Sequence, residues 1–159
     1  MDETPKYALI EIERRWLVDP TAVDLSSLPC REIDDLYLAG SRLRLRRVSG
    51  PHDVVFKLGK KYGKRTSFAE PMTNLYLTET EYSRFADMAG HRARKRRYSV
   101  SGGSLDIYLE PHAGLAVFEV EFADERIASE FTPPPFVVRE ITNDTAFSGA
   151  ALAEPAANA

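Results

Sequence analysis

Two short segments of the sequence carry paired glutamates whose carboxylates could bind a metal ion together. EIERRW begins at Glu11, and FEVEF contains Glu119 and Glu121. Read as strands, both segments put the two glutamates of a pair on one face, because side chains alternate with a period of two. Carboxylates side by side repel unless a cation lies between them. Mg²⁺ and Mn²⁺ prefer oxygen ligands, so the pairs indicate a site for such an ion.

Basic residues cluster in three further segments, RLRLRR, KLGKKYGKR and HRARKRR. Arginine presents a planar fork that matches phosphate oxygens, and lysine presents a compact positive charge. We therefore expect the basic strand faces to hold a phosphate chain. The residues on those faces are Arg42, Arg44, Arg46, Lys57, Lys95 and Arg97.

The same alternation indicates a mainly β protein with flanking helices (α+β). Runs such as YALIEIERRWLV and SLDIYLEP are bounded by Gly, Pro, Asp or Ser, which predicts about eight strands, with shorter ones near 36–38, 67–77 and 136–141. Thr78 and Glu81 have the spacing of a capping box before a helix that Gly90 should end. Shorter helical segments are expected near 20–29, 124–131 and 143–153.

The charged strand faces have two possible locations. They could face water, as in many half-solvated antiparallel sheets, or line the inside of a closed or nearly closed eight-stranded antiparallel barrel. Alternation alone favours the exposed face. However, acids and bases are segregated on different strands, whereas an exposed sheet would more often mix the two signs along a strand.

Composition restricts the classes of protein. The chain has 159 residues, and we expect one domain over 1–153 with a disordered tail at 154–159. A net charge of -3 argues against bulk nucleic-acid binding. We find no membrane span and no secretory signal, and the single Cys30 suits a reducing compartment, so we expect a cytoplasmic protein.

Together these segments resemble the CYTH, or triphosphate tunnel metalloenzyme, superfamily. EIERR is similar to its ExExK signature, and RLRLR, KLGKKYG, RKRRY, LDIY, FEVEF and REITND follow in the order the family shows. The resemblance runs from about residue 10 to residue 152. It implies an eight-stranded antiparallel tunnel with a charged lumen, which uses Mg²⁺ or Mn²⁺ to hydrolyse or rearrange a triphosphate.

Matched position by position, the resemblance implies roles for individual residues. Asp106 matches a family acid that could hold a second metal or orient water, while Arg42 and Glu110 have weaker motif support. The implied metal ligands are Glu11, Glu13, Glu119, Glu121 and Asp106. The implied triphosphate contacts are Arg44, Arg46, Lys57, Lys95 and Arg97, with Arg42 as a secondary candidate. The implied catalytic residues are Glu11, Glu13, Arg15 and Asp106.

Two departures from the family pattern matter. Arg15 stands where the signature has Lys, and arginine can hold phosphate but stays protonated and cannot act as a base. The segment KRTSFAEPMTNLYL lacks the repeated Glu-x-Glu of many members, which leaves Glu70 without a clear match. The number of metal ions could therefore differ.

The expected reaction is metal-dependent hydrolysis of a small-molecule triphosphate, with inorganic tripolyphosphate favoured and pyrophosphate and phosphate as products. Within the resembled superfamily, the alternatives are a class IV-type adenylate cyclase and a thiamine or nucleoside triphosphatase. An alternative of another class is a non-catalytic β-domain that binds polyphosphate or RNA. A homodimer is possible.

Overall fold

The computed structural model describes residues 3–155, so of the expected tail only Glu154 and Pro155 are described. No helix among these residues is long and apolar enough to cross a membrane. The helices are α1 (Glu79–Phe85), α2 (Glu125–Glu130) and α3 (Gly149–Ala153), with 3₁₀ turns at Pro20–Ala22 and Thr145–Phe147. The strands are β1 (Leu9–Val18), β2 (Cys30–Leu38), β3 (Leu43–Ser49), β4 (Val54–Lys61), β5 (Ala69–Leu77), β6 (Gly90–Val100), β7 (Gly103–Tyr108), β8 (Ala116–Glu121) and β9 (Val137–Glu140).

Eight of the strands close into an antiparallel barrel, which confirms the expected fold. The strand order is β5-β4-β3-β2-β6-β7-β8-β1, and β1 returns to pair with β5, where Leu9 lies opposite Met72. The ninth strand, β9, pairs with β1 farther along, where Trp16 lies opposite Glu140. β5 and β9 thus pair with different parts of the same edge of β1, while β8 pairs with its other edge.

Most of the hydrophobic core lies outside the barrel wall. Trp16, Leu105 and Phe118 point outward from β1, β7 and β8, and each is at most 2% exposed. Phe131 and Phe136, from the segment after α2, pack against this cluster. Burying such large apolar side chains stabilises the fold by about 1.5–3 kcal/mol each. The charged faces are therefore left to line the interior.

The helix α1 covers a second part of the outer wall. Tyr82 and Phe85 of α1 pack against a cluster formed by Leu36, Leu38 and Leu45 of β2 and β3. Period-two alternation places the leucines on one face of their strands, and helical spacing places Tyr82 and Phe85 on one face of α1. These two apolar faces pack together and are buried.

The capping box that begins α1 is present. The Thr78 hydroxyl accepts a hydrogen bond from the Glu81 N–H at 3.2 Å, and the Glu81 carboxylate accepts one from the Thr78 N–H at 2.7 Å. The expected helix end is wrong, because α1 stops at Phe85 and Gly90 begins β6. A Cβ on Gly90 would lie 2.2 Å from the Tyr37 carbonyl oxygen, so the close approach of β2, rather than a helix terminus, requires glycine there.

Candidate active site

The inward strand faces line a cavity of about 630 Å³, to which all eight barrel strands contribute. Residues 142–145 and 148–150, after β9, line it as well. Most of the acidic side chains of this lumen come from β1, β5 and β8, and most of the basic ones come from β3, β4 and β6. The lining acids are Glu11, Glu13, Glu70, Glu119, Glu121 and Asp144. The lining cations are Arg15, Arg42, Arg44, Arg46, Lys61, Lys64, Lys95 and Arg97.

Three of the expected metal ligands converge. Glu11, Glu13 and Glu121 each offer an oxygen, and these oxygens lie within 4.8 Å of one another. The register explains the meeting, since Glu13 and Glu121 are directly opposite in the β1–β8 pair. Burial first, and the carboxylates of Glu119 and Glu11 next, raise the pKa of Glu13 to about 7. An all-carboxylate set that is costly to ionise fits a hard divalent cation.

Glu119 has different partners. Its carboxylate accepts hydrogen bonds from Arg97 at 2.7 Å and from Arg15 at 3.2 Å. Burial alone would raise the pKa of Glu119, but Lys95, Arg97 and Arg15 hold it well below its ordinary value. Glu119 is therefore an ionised group between cations, and the structure does not bring it into the three-glutamate cluster.

Asp106 lies behind the basic wall and does not reach the acidic cluster. It is fully buried and accepts two hydrogen bonds from Arg97, both at 2.7 Å. The Lys95 ammonium lies 2.5 Å from the same carboxylate. Burial alone would lower the pKa of Lys95, but Asp106 raises it above its ordinary value. Asp106 thus orients two cations toward the lumen and keeps them charged.

On the β3 side, one arginine is fixed and its neighbour lacks a hydrogen-bond partner. Arg46 donates two hydrogen bonds to the buried Asp35. Arg44 lies with its Nε 4.0 Å from Asp35, and that buried Nε has no hydrogen-bond partner. Arg42 lies at the mouth of the cavity, just before β3. Because no group among the described residues accepts from the Nε of Arg44, this donor is available to an anion that enters the cavity.

Arg15 is the cation between the two glutamate pairs. Its guanidinium lies 3.2 Å from Glu119 and 3.9 Å from Glu13, and it also donates to the Phe147 carbonyl at 2.8 Å. Burial lowers the pKa of Arg15, but Glu119 and Glu13 more than offset this effect, so it stays protonated. The guanidinium of arginine has three nitrogen atoms that point in different directions, so it can contact the glutamates and the Phe147 carbonyl at the same time. The single nitrogen of a lysine could not reach all of these groups.

Lys57 is the predicted contact that the structure does not bring to the cavity. It lies opposite Arg46 and shares its inward face, but its ammonium lies 5.3 Å from the centre of the Tyr76 ring. Lys61, four residues farther along β4, lines the cavity instead. Lys57 and Lys61 lie on the same face of β4, so the sequence could have indicated both lysines. It could not show which of them reaches the site.

The sequence interpretation also missed cavity residues outside the charged motifs. The Lys64 ammonium donates to the Thr142 carbonyl at 2.7 Å and to the Asn143 side chain at 3.0 Å. Tyr37 packs so closely on α3 that a Cβ on Gly149 would lie 2.0 Å from its hydroxyl. These contacts join residues far apart in the chain, so no local pattern indicates them. Glu110, the other secondary candidate, is exposed and is not part of the cavity wall.

Comparisons with known proteins agree with this geometry. No family model matches the chain. An inorganic triphosphatase from Nitrosomonas europaea is 38% identical over 69 residues, a match that covers 40% of this chain and only 46% of that protein. A crystal structure of the inorganic triphosphatase NE1496 superposes with a TM-score of 0.59 and 26% identity, over 90% of this chain and 93% of that one. A crystal structure of the hypothetical protein NE1496 gives the same TM-score and identity, over 90% and 97% of the two chains. The chain is therefore similar in sequence and in fold to an inorganic triphosphatase, and it spans about half the length of the curated relative that it matches.

Proposed function

We propose that this protein hydrolyses a phosphoanhydride bond of a triphosphate, with inorganic tripolyphosphate as the favoured substrate and a divalent metal ion as cofactor. The observation that carries the proposal is Arg44. Its buried Nε lacks a hydrogen-bond partner in the same lumen where Glu11, Glu13 and Glu121 converge. A polyanion that carries a metal ion would satisfy both walls at once. The similarity to inorganic triphosphatases supports the reaction class.

The roles of the residues follow from their positions. Glu11, Glu13 and Glu121 would hold Mg²⁺ or Mn²⁺, which when bound neutralises phosphate oxygens and polarises water for attack. Arg44 would donate to the phosphate chain from the β3 side, and Arg97 from the β6 side. The cations also stabilise the charge that develops on the transferred phosphoryl group.

Two buried acids would keep the basic wall in place during the reaction. Asp35 fixes Arg46, and Asp106 fixes Lys95 and Arg97. Donors that are already oriented need no reorganisation when the substrate enters, which is the main source of electrostatic catalysis. Arg15 remains charged and serves as a fixed cation rather than as a base.

The lining of the cavity favours a substrate made of phosphate alone. A nucleoside would need an accessible aromatic face or an apolar recess beside the phosphate site. Of the two tyrosines in the lining, Tyr108 is buried with the Lys95 ammonium 5.4 Å from its ring centre, and Tyr37 packs against Gly149. These contacts support inorganic tripolyphosphate over a nucleoside or thiamine triphosphate.

The direct test is an assay of purified protein with tripolyphosphate, ATP and thiamine triphosphate, each with and without Mg²⁺ or Mn²⁺. Phosphate, pyrophosphate and cyclic AMP are measured. We expect metal-dependent release of phosphate and pyrophosphate from tripolyphosphate, and no cyclic AMP. The double variant Glu119→Gln/Glu121→Gln should lose turnover, whereas Glu130→Gln on the exposed surface of α2 should not. Absence of metal-dependent turnover on all three substrates would contradict the proposal.

The structure gives less support to a non-catalytic RNA-binding domain. On the outer face of β6, Arg92 lies 3.0 Å from Asp34 and Arg96 lies 3.3 Å from Glu32. These pairs reduce the positive charge of the surface that RNA would contact, because phosphate binding depends on unneutralised Lys and Arg. The inward basic residues lie in a lumen that they share with five glutamates.

A further inference from the structure

Lys61 lies between two glutamates at the edge of the acidic cluster. Its ammonium is 2.5 Å from the Glu11 carboxylate and 3.9 Å from that of Glu70. Glu11 and Glu70 are directly opposite in the β1–β5 pair, so both carboxylates project from the same face of the sheet. A single positive charge therefore separates two acids that would otherwise repel each other.

Neighbouring contacts fix this arrangement. Glu70 also accepts a hydrogen bond from the Gly63 N–H at 3.1 Å, which orients its carboxylate. Burial would lower the pKa of Lys61, but the carboxylates of Glu13, Glu11 and Glu70 raise it, so the ammonium stays charged. Lys61 is thus a permanent cation held on the acidic side of the lumen.

Glu11 belongs to two groups at once. On one side its carboxylate forms the cluster with Glu13 and Glu121, and on the other it binds Lys61 beside Glu70. In two-metal phosphoryl-transfer sites a shared carboxylate often lies between ions about 3.5–4 Å apart. The Lys61 ammonium lies between Glu11 and Glu70, where it would compete with a second ion for their carboxylates.

The other inward acids in the described part of the barrel have cation partners of their own. Glu119 is bound by Arg15 and Arg97, and Asp106 by Lys95 and Arg97. Asp35 is bound by Arg46. The cation partner that Glu11 and Glu70 share is Lys61.

We propose that Lys61 is a built-in second cation, whose ammonium replaces a second divalent ion so that the site binds one metal ion per chain. This inference rests on the proposed metal-dependent function. The ammonium lowers the repulsion among the carboxylates before metal binds, and it competes with the metal for Glu11. It also places a hydrogen-bond donor at the edge of the metal site, where a phosphate oxygen can accept from it.

The test counts bound Mn²⁺ per chain by electron paramagnetic resonance and measures its affinity by calorimetry, without substrate. Wild type and Lys61→Arg should bind one ion. Lys61→Met should bind two ions, because the positive charge beside Glu11 and Glu70 is removed. Lys60→Met is the matched control, since Lys60 is exposed, points to the other face of β4 and should not affect metal binding.

The outcomes separate this inference from the function on which it rests. Two Mn²⁺ ions on the wild-type chain would overturn the inference but leave metal dependence intact, and this measurement decides even if Lys61→Met does not fold. A folded Lys61→Met that still binds one ion would also overturn it. Wild type that binds no Mn²⁺ would contradict the proposed function itself. In Lys61→Met/Glu70→Gln the gain should disappear, because the second ion needs the Glu70 carboxylate.

Discussion

Asp35 accepts two hydrogen bonds from Arg46, at 2.6 Å from Nε and 2.7 Å from Nη2, across the neighbouring strands β2 and β3. Asp35 is only 2% exposed. Burial alone would raise the pKa of this carboxyl group, but the Arg46 guanidinium holds it below its ordinary value. The pair fixes a positive charge on the inner wall of the barrel before any substrate arrives.

Removing this buried carboxylate should destabilise the fold strongly. We expect Asp35→Asn to lower the free energy of unfolding by about 3 kcal/mol, because it leaves the Arg46 guanidinium buried without its counter-ion. Asp34→Asn is the matched control, since Asp34 points outward and pairs with the half-exposed Arg92 and Arg47. It should cost at most about 1 kcal/mol. Urea unfolding at pH 7 measures both, and equal losses would contradict a special role for Asp35.

The Asp35–Arg46 pair also predicts how the free energy of unfolding depends on pH. A carboxyl group whose pKa is lower in the folded state than in the unfolded chain stabilises the fold above the unfolded pKa, and the effect is lost as the pH falls through the folded pKa. The stability difference between wild type and Asp35→Asn should therefore be largest above about pH 5 and shrink below about pH 4. Thermal unfolding between pH 7 and pH 3 gives the difference, and a constant value would argue against an ionised Asp35.

Glu13 should have the opposite effect on stability. Its raised pKa, about 7, means that the ionised group is costly in the metal-free fold, and the cost grows as the pH rises from about 4.5 through 7. With EDTA at pH 8, we expect Glu13→Gln to be about 1–3 kcal/mol more stable than wild type, with a smaller gain at pH 5. Mn²⁺ should then raise the melting temperature of wild type much more than that of the variant.

Glu130→Gln provides the comparison for this experiment, because Glu130 is exposed on α2 and pairs with the exposed Arg126. It should leave both stability and the response to Mn²⁺ unchanged. A Glu13→Gln variant that is less stable than wild type in EDTA would show that the carboxylates of the cluster do not repel each other.

Arg44 should separate substrate binding from stability. Because the Nε of Arg44 makes no hydrogen bond and lies 4.0 Å from Asp35, Arg44→Met should destabilise the fold far less than Asp35→Asn does. Its affinity for tripolyphosphate, measured by calorimetry in EDTA, should fall about tenfold or more, since a charge-assisted hydrogen bond is lost. Arg47→Met is the control, because Arg47 lies three residues farther along β3 and its exposed side chain points outward. Equal affinities for Arg44→Met and wild type would remove Arg44 from the substrate site.

Local patterns predicted those elements whose signals are contained in a few consecutive residues. The capping box of Thr78 and Glu81 and the alternation of the acidic and basic strands are of this kind, and both are present. The expected strand at 36–38 is instead the nine-residue β2. The sequence CREIDDLYL does not show the period-two pattern of a strand. Asp34 faces outward and Asp35 faces inward, so polar residues occur on both faces.

The sequence by itself determined which side chains of a strand share a face, because a strand alternates its two faces at every residue. It thereby indicated an acidic wall on β1 and β8 and a basic wall on β3 and β6. Only the tertiary structure decided which inward charges meet. Glu121 joins Glu11 and Glu13 while Glu119 binds Arg15 and Arg97, and Lys61 rather than Lys57 reaches Glu11. The physical reason is that alternation fixes the face of a side chain but not its height along the barrel axis, which depends on the register of strands far apart in the chain.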